Sequence, residues 1–376
     1  MSGRVDVAVI GAGIAGGSAA KALADRGWET LLIDKGRFPR HKVCGEFLSP
    51  ESRSALASLG LTETLAQLRP SPITRARLVP DRGEALEIAL PGQAFGVSRY
   101  ALDAALRQAA SASGARLVAN TCVTNVTPER GGFAIETRQG TTYRARAVIA
   151  AWGANRRAGL PGRAASAGSA HFGVKTHLRG VGLGPVVELY FFPGGYLGLA
   201  PVEDGLVNAA ALLSRQAFAH AEPSVAGLIA AAARRHPQLR EKLAGAVPVP
   251  GSQAAVAPVR FSRRPAAWDV VPRVGDAAVM LPPLCGDGMS MALRSAERCA
   301  LLADGCLRGR LSLSRWEQEY VRAIRREFAG PLRWGRLAQA MLASPASFRL
   351  LLGLGHLAPG LARGLMRATR LKEADG

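Results

Sequence analysis

The sequence has few acidic residues, few cysteines and no long apolar run. Its 376 residues include 28 Asp and Glu against 48 Lys and Arg, and only five cysteines. The cysteines form no CxxC pair, and their odd number argues against a disulfide framework. No His and Cys spacing typical of metal ligands occurs, so we predict no metal site. Arg, Gly or Pro interrupts every apolar stretch well before about 18 residues, which argues against a membrane-spanning helix.

The excess of basic residues gives a formal net charge of +20. Almost all of it is Arg spread along the chain, without basic runs interleaved with aromatic residues, so nucleic acid is not a predicted partner. A positive field favours other anions, such as a nucleotide cofactor, an acidic carrier protein or an anionic membrane surface. The first residues do not resemble a signal peptide. We therefore expect a cytoplasmic protein, with peripheral membrane association as the alternative.

The first forty residues contain a dinucleotide-binding pattern. Short apolar strands are predicted over residues 4–10 and 29–33, with an Ala-rich helix over residues 18–26 between them. A GxGxxG motif joins the first strand to the helix, and its glycines are Gly11, Gly13 and Gly16. Asp34 follows the second strand. A GxGxxG motif in this strand–helix–strand context, with an acid about 20 residues further on, indicates a Rossmann-type nucleotide site.

The residue types explain what such a loop binds. Glycines let the backbone approach a pyrophosphate, and the free N–H groups and partial positive charge of a helix N-terminus attract phosphate. Asp34 has a carboxylate that can accept a hydrogen bond from a ribose 2′-hydroxyl. The spacing alone leaves FAD and NAD as alternatives.

A second glycine pattern lies near residue 275. A strand predicted over residues 266–274 leads into Gly275 and Asp276, and a helix is predicted over residues 290–307. The loop between them contains Pro282, Gly286, Gly288 and Met289. This order of strand, Gly-Asp, loop and helix resembles the second flavin motif of FAD-dependent monooxygenases built like p-hydroxybenzoate hydroxylase.

Three further segments carry the resemblance. Residues 41–50, which contain Cys44, Gly45 and Glu46, resemble the flavin-facing segment of geranylgeranyl reductases. Arg99 resembles the flavin-contacting arginine at the start of a helix, and residues 172–175 resemble the reductase branch. The chain is therefore similar to FAD-dependent oxidoreductases of the p-hydroxybenzoate hydroxylase-like and geranylgeranyl reductase-like superfamily.

The resemblance implies tightly bound FAD. The residues implied in binding it are Gly11, Gly13, Gly16, Asp34, Cys44, Gly45, Arg99, Gly275, Asp276, Pro282, Gly286, Gly288 and Met289. Asp276 would accept a hydrogen bond from a ribityl hydroxyl, and Pro282 would lie beside the isoalloxazine. No catalytic residue is identified, and the candidates near the flavin are Cys44, Glu46 and Lys175. The Asp-Gly pair usual after the strand at residues 145–149 lacks its Asp, which leaves the use of NAD(P)H open. No second GxGxxG motif joins a strand to a helix, so NAD(P)H is expected to bind only transiently as a reductant.

The predicted fold is α/β, with a Rossmann-type FAD-binding domain, an antiparallel β-sheet substrate domain and a C-terminal helical tail. The FAD-binding domain is discontinuous, over residues 1–72, 97–160 and 265–310. The substrate domain takes residues 73–96 and 161–264, and includes an aromatic hairpin that turns at Pro193-Gly194-Gly195. The tail takes residues 311–376 and contains no acid from Phe328 to Leu371. That stretch is predicted either to pack on the body or to form a basic amphipathic surface.

Several functions remain open at this point. The leading one is a monooxygenase that hydroxylates a hydrophobic aromatic or polyketide-like molecule, and the alternative is reduction of isoprenoid double bonds. A flavoprotein without turnover is a different class. A flavin-dependent halogenase is disfavoured, because no Lys lies between Val43 and Val174 and no WxWxIP motif occurs. The substrate and the oligomeric state are not identified.

Overall fold

A computed structural model of the chain describes residues 4–154 and 171–342, together with residues 353, 360, 364, 368, 370 and 371. Predictions that concern residues 155–170, and most of those beyond residue 342, lie outside this part. The strands in chain order are β1 (Val5–Ile10), β2 (Thr30–Ile33), β3 (Phe47–Leu48), β4 (Ser71–Val79), β5 (Leu86–Gly96), β6 (Arg116–Val118), β7 (Val123–Glu129), β8 (Gly132–Thr137), β9 (Thr142–Ala150), β10 (His171–Arg179), β11 (Val186–Phe192), β12 (Gly195–Pro201), β13 (Val207–Ser214), β14 (Val247–Pro248) and β15 (Ala254–Val256).

The α-helices complete the element list. They are α1 (Ile14–Ala24), α2 (Ser52–Ser58), α3 (Thr62–Ala66), α4 (Arg99–Ala112), α5 (Val225–Arg234), α6 (Pro237–Lys242), α7 (Gly288–Leu307) and α8 (Leu313–Leu342). None of the helices in the described ranges is both long and apolar enough to cross a bilayer. The longest, α8, buries one stripe at four-residue spacing, namely Trp316, Tyr320, Ile324, Phe328 and Leu332.

The first layer is a six-stranded sheet in the order β6-β2-β1-β9-β8-β7. β1 pairs in parallel with β2 and β9, and β8 runs antiparallel to β9. All but one of the residues of β1 are buried, as expected for an apolar central strand covered on both faces. Helices α1, α4 and α7 pack together on one side of this sheet. The α/β fold with a Rossmann-type parallel sheet is confirmed.

The second sheet has the order β14-β10-β13-β12-β11-β4-β5-β3, with β15 also paired to β10. It is antiparallel except between β11 and β4. The predicted hairpin is confirmed: β11 and β12 pair, with Phe192 opposite Gly195, and Gly194 takes φ +92° in the turn. Along β10, side chains alternate between two faces. Lys175 and His177 therefore share a face, and Val174 lies on the opposite one against α5.

Two sequence predictions need correction. Residues 266–274 do not form a regular strand; they make only isolated bridges, between Ala150 and Arg273 and between Trp268 and Pro272. Pro265 and Pro272 explain this, because proline cannot donate a ladder hydrogen bond. In addition, β3 lies in the predicted FAD-binding segment 1–72 but pairs with β5 of the second sheet. The segment of residues 41–50 is therefore joined directly to the second sheet, which we call the roof sheet.

Candidate active site

The loop between β1 and α1 has the geometry of a phosphate cradle. Gly11 takes φ +107°, and a Cβ on Gly16 would collide with the carbonyl oxygen of Gly11. Gly13 is the N-cap of α1 and supplies no side chain to cap it, so the first N–H groups of the helix stay open. Asp34 is buried at the end of β2 and accepts hydrogen bonds from the amides of Ala12 and Gly36, each at 2.7 Å.

Basic side chains line the cleft above Gly13. A Cβ on Gly13 would lie 3.1 Å from Lys42 Nζ and 3.5 Å from Arg99 Nη2. Arg99 starts α4 and donates two hydrogen bonds of 2.9 Å to Asp103, which also pairs with Lys42 at 2.6 Å. Burial alone would raise the pKa of Asp103, but the adjacent Arg99 and Lys42 charges lower it. The three side chains thus fix two cations beside the N-terminus of α1.

The second motif closes the same cleft. A Cβ on Gly275, which takes φ +60°, would lie 3.0 Å from the Cβ of Ala15 in α1. Asp276 accepts no hydrogen bond from the described residues. The residue is exposed in the cleft, but the surrounding protein atoms partly desolvate its carboxyl group and raise its pKa, while the Arg99 and Lys42 charges lower it. Gly288, the first residue of α7, has open space beside its Cα. Two uncapped helix N-termini, a pair of cations and an unpartnered carboxylate are the groups that a flavin dinucleotide needs.

The remaining residues of the loop before α7 lie beside the cleft between the N-termini of α1 and α7. Pro282, Cys285 and Met289 are buried, and Gly286 takes φ +72° with its Cα close to the ring of Phe47. On the other side, α8 touches the loop, since a Cβ on Gly335 would collide with Cys285 Sγ. Burial raises the pKa of the Cys285 thiol to about 12, so this cysteine is a poor nucleophile at neutral pH.

A buried cluster of four titratable side chains lies beneath the roof sheet; we call it the proton cluster, and it consists of His41, Glu46, Lys175 and His177. Lys175 Nζ lies 2.9 Å from Glu46 Oε1, 3.2 Å from His41 Nδ1 and 2.8 Å from His177 Nε2. Lys175 and Glu46 are fully buried. Glu46 also accepts from the Arg99 amide at 2.9 Å and lies 2.6 Å from His177 Nε2. Lys175, a candidate from the sequence, is therefore a buried partner of Glu46 and not a solvated charge at the end of a strand.

Proton counting shows what is unusual about this cluster. His177 Nε2 lies within hydrogen-bond distance of both Lys175 Nζ and Glu46 Oε2, but one ring nitrogen either accepts a proton or donates one. Glu46 has φ +55°, a backbone conformation that non-glycine residues adopt mainly at strained or functional positions. Burial and the neighbouring Lys175 charge lower the pKa of His41 to about 4, so His41 is neutral and accepts from the ammonium.

The sequence indicated Glu46 and Lys175 as candidates but not the two histidines. His41, Glu46 and His177 also offer three ligand atoms within 4.8 Å of one another, a metal-like grouping in which the Lys175 ammonium is the common partner. Cys44 borders the cluster: its Sγ accepts from the Glu46 amide at 3.4 Å, and burial raises the pKa of the thiol. A Lys-x-His pair on one strand was the signal available in the sequence, because positions two apart share a face.

The N-cap position of α7 is tied to the C-terminal part of the chain. Asp287 is fully buried, and its Oδ2 accepts from the Leu371 amide at 3.2 Å. Arg370 pairs with Glu51 at 3.3 Å beside it. Burial raises the pKa of Asp287 to about 7; the Arg370 charge lowers it and the Glu51 charge adds to the rise.

This shift predicts a pH-dependent stability. The folded state binds more protons than the unfolded state between about pH 4 and pH 7, so the free energy of unfolding should fall as pH rises through that range and level off above it. Asp287→Asn keeps the acceptor but not the titration, and should remove a loss of no more than about 4 kcal/mol. Melting temperatures of both proteins from pH 4.5 to pH 8 test this; parallel curves would contradict it.

Comparison with known proteins agrees with this site. Residues 4–187 match the FAD binding domain family. A menaquinone reductase of Mycolicibacterium smegmatis is 28% identical over 344 residues, covering 80% of this chain and 77% of that protein. Digeranylgeranylglycerophospholipid reductase 2 of Methanopyrus kandleri is 29% identical over 302 residues, 77% of this chain and 74% of that one.

Solved structures share the fold. The myxobacterial chondrochloren halogenase superposes with a TM-score of 0.76 at 24% identity, covering 87% of this chain and 80% of that one. A flavoprotein/dehydrogenase of Cytophaga hutchinsonii gives a TM-score of 0.77 at 20% identity, with 91% and 86% covered. The FAD binding domain and the reductase relatives together make this chain a FAD-dependent oxidoreductase, as its motifs predict.

Proposed function

We propose that this protein uses FAD to reduce carbon–carbon double bonds of an isoprenoid chain. The observation that carries the proposal is the proton cluster. Its member Glu46 belongs to the segment, with Cys44 and Gly45, that resembles the flavin-facing segment of reductases. The menaquinone and digeranylgeranylglycerophospholipid reductases, which are similar over most of the chain, support the same reaction class. Hydroxylation, the leading candidate from the sequence, becomes the second candidate.

Saturating an isolated double bond requires a hydride and a proton. FAD, when bound and reduced, supplies the hydride. The proton cluster supplies the proton, because the Lys175 ammonium and the close Glu46–His177 pair hold protons where no bulk water reaches. Burial lowers the pKa of Lys175, which makes the ammonium a better acid, although the Glu46 charge opposes the shift.

The cluster also has a route to solvent. His41 is half-buried and stacks on the ring of Tyr100 with the ring centroids 4.7 Å apart, and Tyr100 is 41% exposed. Its Nδ1 accepts from Lys175, so the opposite edge of the imidazole faces away from the ammonium. After each transfer, His41 would change tautomer or flip its ring so that Nδ1 carries the proton, pass that proton inward to Lys175, and take up another from solvent. The buried members would thus be reprotonated without opening the site.

A buried apolar cluster lies on the face of the second sheet that also carries Lys175. Phe191 and Tyr196 pack together across the β11–β12 hairpin, with Met280 and Leu284 against them. The other hairpin aromatics, Tyr190 and Phe192, belong to the core on the opposite face of the sheet. Only half of the aromatic residues of the hairpin therefore face the loop before α7. The buried hydroxyl of Tyr196 has no partner among the described residues. A hydrocarbon chain with one polar acceptor would suit these apolar side chains and the Tyr196 hydroxyl.

The positions of the residues around the cleft indicate which part of FAD each of them would hold. Arg99 and Lys42 would neutralise the pyrophosphate at the N-terminus of α1, and Asp34 and Asp276 would accept from ribose and ribityl hydroxyls. Gly286 and Gly288 would let the N-terminus of α7 approach the isoalloxazine, where its N–H groups would stabilise the charge of the reduced ring. Pro282 and Met289 would pack behind it.

An anaerobic deuterium experiment tests the proposed reaction. The FAD-loaded protein, reduced with NAD(P)H or dithionite in D₂O, is incubated with menaquinone and with geranylgeranyl lipids. We expect products that gain two hydrogens per saturated bond, both of them deuterium, because the proton comes from solvent and the N–H hydrogens of reduced FAD exchange with D₂O. An aerobic product that has gained one oxygen atom, with no saturated product under anaerobic conditions, would overturn the proposal and support hydroxylation.

Halogenation is disfavoured because of where Lys175 lies. Lys175 does reach Glu46 of the flavin-side segment in space, although no Lys lies between Val43 and Val174 in the sequence. Its ammonium, however, is fully buried and lies within hydrogen-bond distance of Glu46, His41 and His177. A lysine that holds hypohalous acid must contact it directly, whereas proton delivery can pass through the other members of the cluster. Bromide in the aerobic assay should therefore give no halogenated product.

A further inference from the structure

A basic cleft lies outside the active site, between residues 263–265 and the second half of α8. Its volume is about 520 Å³, and it is lined by Arg263, Arg264, Pro265, Ala329, Leu332, Arg333, Arg336 and Leu337. Half of these residues are arginines and none is acidic. Arg336 Nη1 donates to the carbonyl oxygen of Arg263 at 3.4 Å, which ties the helix to the loop.

The first half of α8 differs in that it carries carboxylates among its arginines. There, Arg315 pairs with Glu319, and Glu327 pairs with Arg298 of α7, while Arg322, Arg325 and Arg326 form no ion pair with described residues. Arg263, Arg264, Arg333 and Arg336 form no ion pair with any carboxylate in the described ranges. Positive charge held this close together without counter-charges raises the local potential and attracts an anion.

Exposed apolar side chains accompany the charge. Trp334 is 37% exposed and Leu337 is 47% exposed, and residues three apart are neighbours on a helix surface. Arg333 lies over the Trp334 ring at 5.9 Å. A free phosphate would not need these apolar groups. A bilayer surface needs both, because tryptophan prefers the lipid–water interface and arginine pairs with anionic headgroups.

We propose that this face, defined by Arg263, Arg264, Arg333, Trp334, Arg336 and Leu337, docks the protein on an anionic phospholipid bilayer. The docking is peripheral, through one face of α8. The opposite face of the same helix, at Gly335, packs on Pro282 and Cys285 of the flavin-side loop. The bilayer surface and this loop would therefore be separated by about one helix diameter, roughly 10 Å. A lipid substrate could reach the site with its headgroup still at the membrane.

Vesicle sedimentation of the FAD-loaded full chain tests this without any substrate, and so independently of the proposed reaction. We expect binding to phosphatidylcholine vesicles that contain phosphatidylglycerol, weakening with salt, and little binding to phosphatidylcholine alone. Arg333→Gln/Arg336→Gln should bind roughly 30-fold more weakly, because each basic side chain at an anionic surface contributes about a factor of five. Trp334→Ser should also weaken binding.

The matched control is Arg130→Gln/Arg138→Gln, which removes the same charge from exposed positions around the β7–β8 hairpin. Equal weakening by the control pair would mean that net charge alone binds the vesicles and would overturn the proposal. A second measurement, melting temperature with inorganic pyrophosphate, separates the soluble-anion alternative. Pyrophosphate stabilisation that is lost in Arg333→Gln/Arg336→Gln, with no vesicle binding by the wild type, would also overturn it.

Discussion

Lys175→Met is expected to lower the turnover of the proposed reductase by at least about 100-fold, the usual contribution of a positioned proton donor. The substitution removes the ammonium that touches Glu46, His41 and His177. It leaves the Glu46 carboxylate fully buried without one of its three partners and without the charge that compensates it, so the free energy of unfolding should also fall by about 3–5 kcal/mol. Stopped-flow oxidation of the reduced flavin by substrate, together with thermal unfolding, measures both effects.

A second variant separates the chemical role of Lys175 from its structural role. Glu46→Gln/Lys175→Met removes both charges, so no uncompensated ion stays buried and much of the stability should return. If Lys175 only holds the segment against the roof sheet, turnover returns with stability. If the cluster delivers the proton, turnover stays low and its solvent isotope effect rises. Recovery of wild-type turnover in the double variant would contradict the proton-delivery role.

The proton cluster also shows where inference from the sequence ends. β1, α1, β2 and α7 were predicted to within a few residues, because each is a local pattern of apolar residues, glycine and caps. His41 and Glu46 are more than 120 residues from Lys175 and His177 in the chain. They meet because the segment of residues 41–46 packs across the second sheet, where Asn208, the partner of His177 in β13, donates to the Cys44 carbonyl oxygen. A fully buried lysine also runs against the rule that charged strand residues face solvent.

The cleft proposed to bind FAD was predictable because its glycines lie close together in the chain. Its glycines are required by backbone geometry over a few residues, so their spacing alone indicates a phosphate loop. Lys42 was not predicted there, because its pairing with Asp103 depends on where α4 packs beside α1. The strand predicted over residues 266–274 failed because an apolar stretch containing Pro272 can satisfy the pattern of a strand without its hydrogen bonds.

Gly13→Val is expected to abolish FAD retention, with affinity lowered by more than about 100-fold, while the chain still folds. Gly13 has φ −84°, which a valine backbone can adopt. The added side chain would enter the cleft beside Lys42 Nζ and Arg99 Nη2, where the pyrophosphate would lie. Losing access to two cations and a helix N-terminus removes several charge-assisted hydrogen bonds, each worth about 1.5–3 kcal/mol. Flavin absorbance per chain after gel filtration measures the loss.

Two controls make this result specific. Gly13→Ala places a Cβ 3.1 Å from the flexible end of Lys42, which can move, so it should weaken FAD binding by much less. Gly17→Ala, one turn further along α1, presses on Leu106 inside the helix packing and should lower the melting temperature more than FAD affinity. Circular dichroism of the apo forms verifies folding. If Gly13→Val retains a full complement of FAD, the pyrophosphate does not occupy this cleft, and Arg99 and Lys42 lose their assigned role.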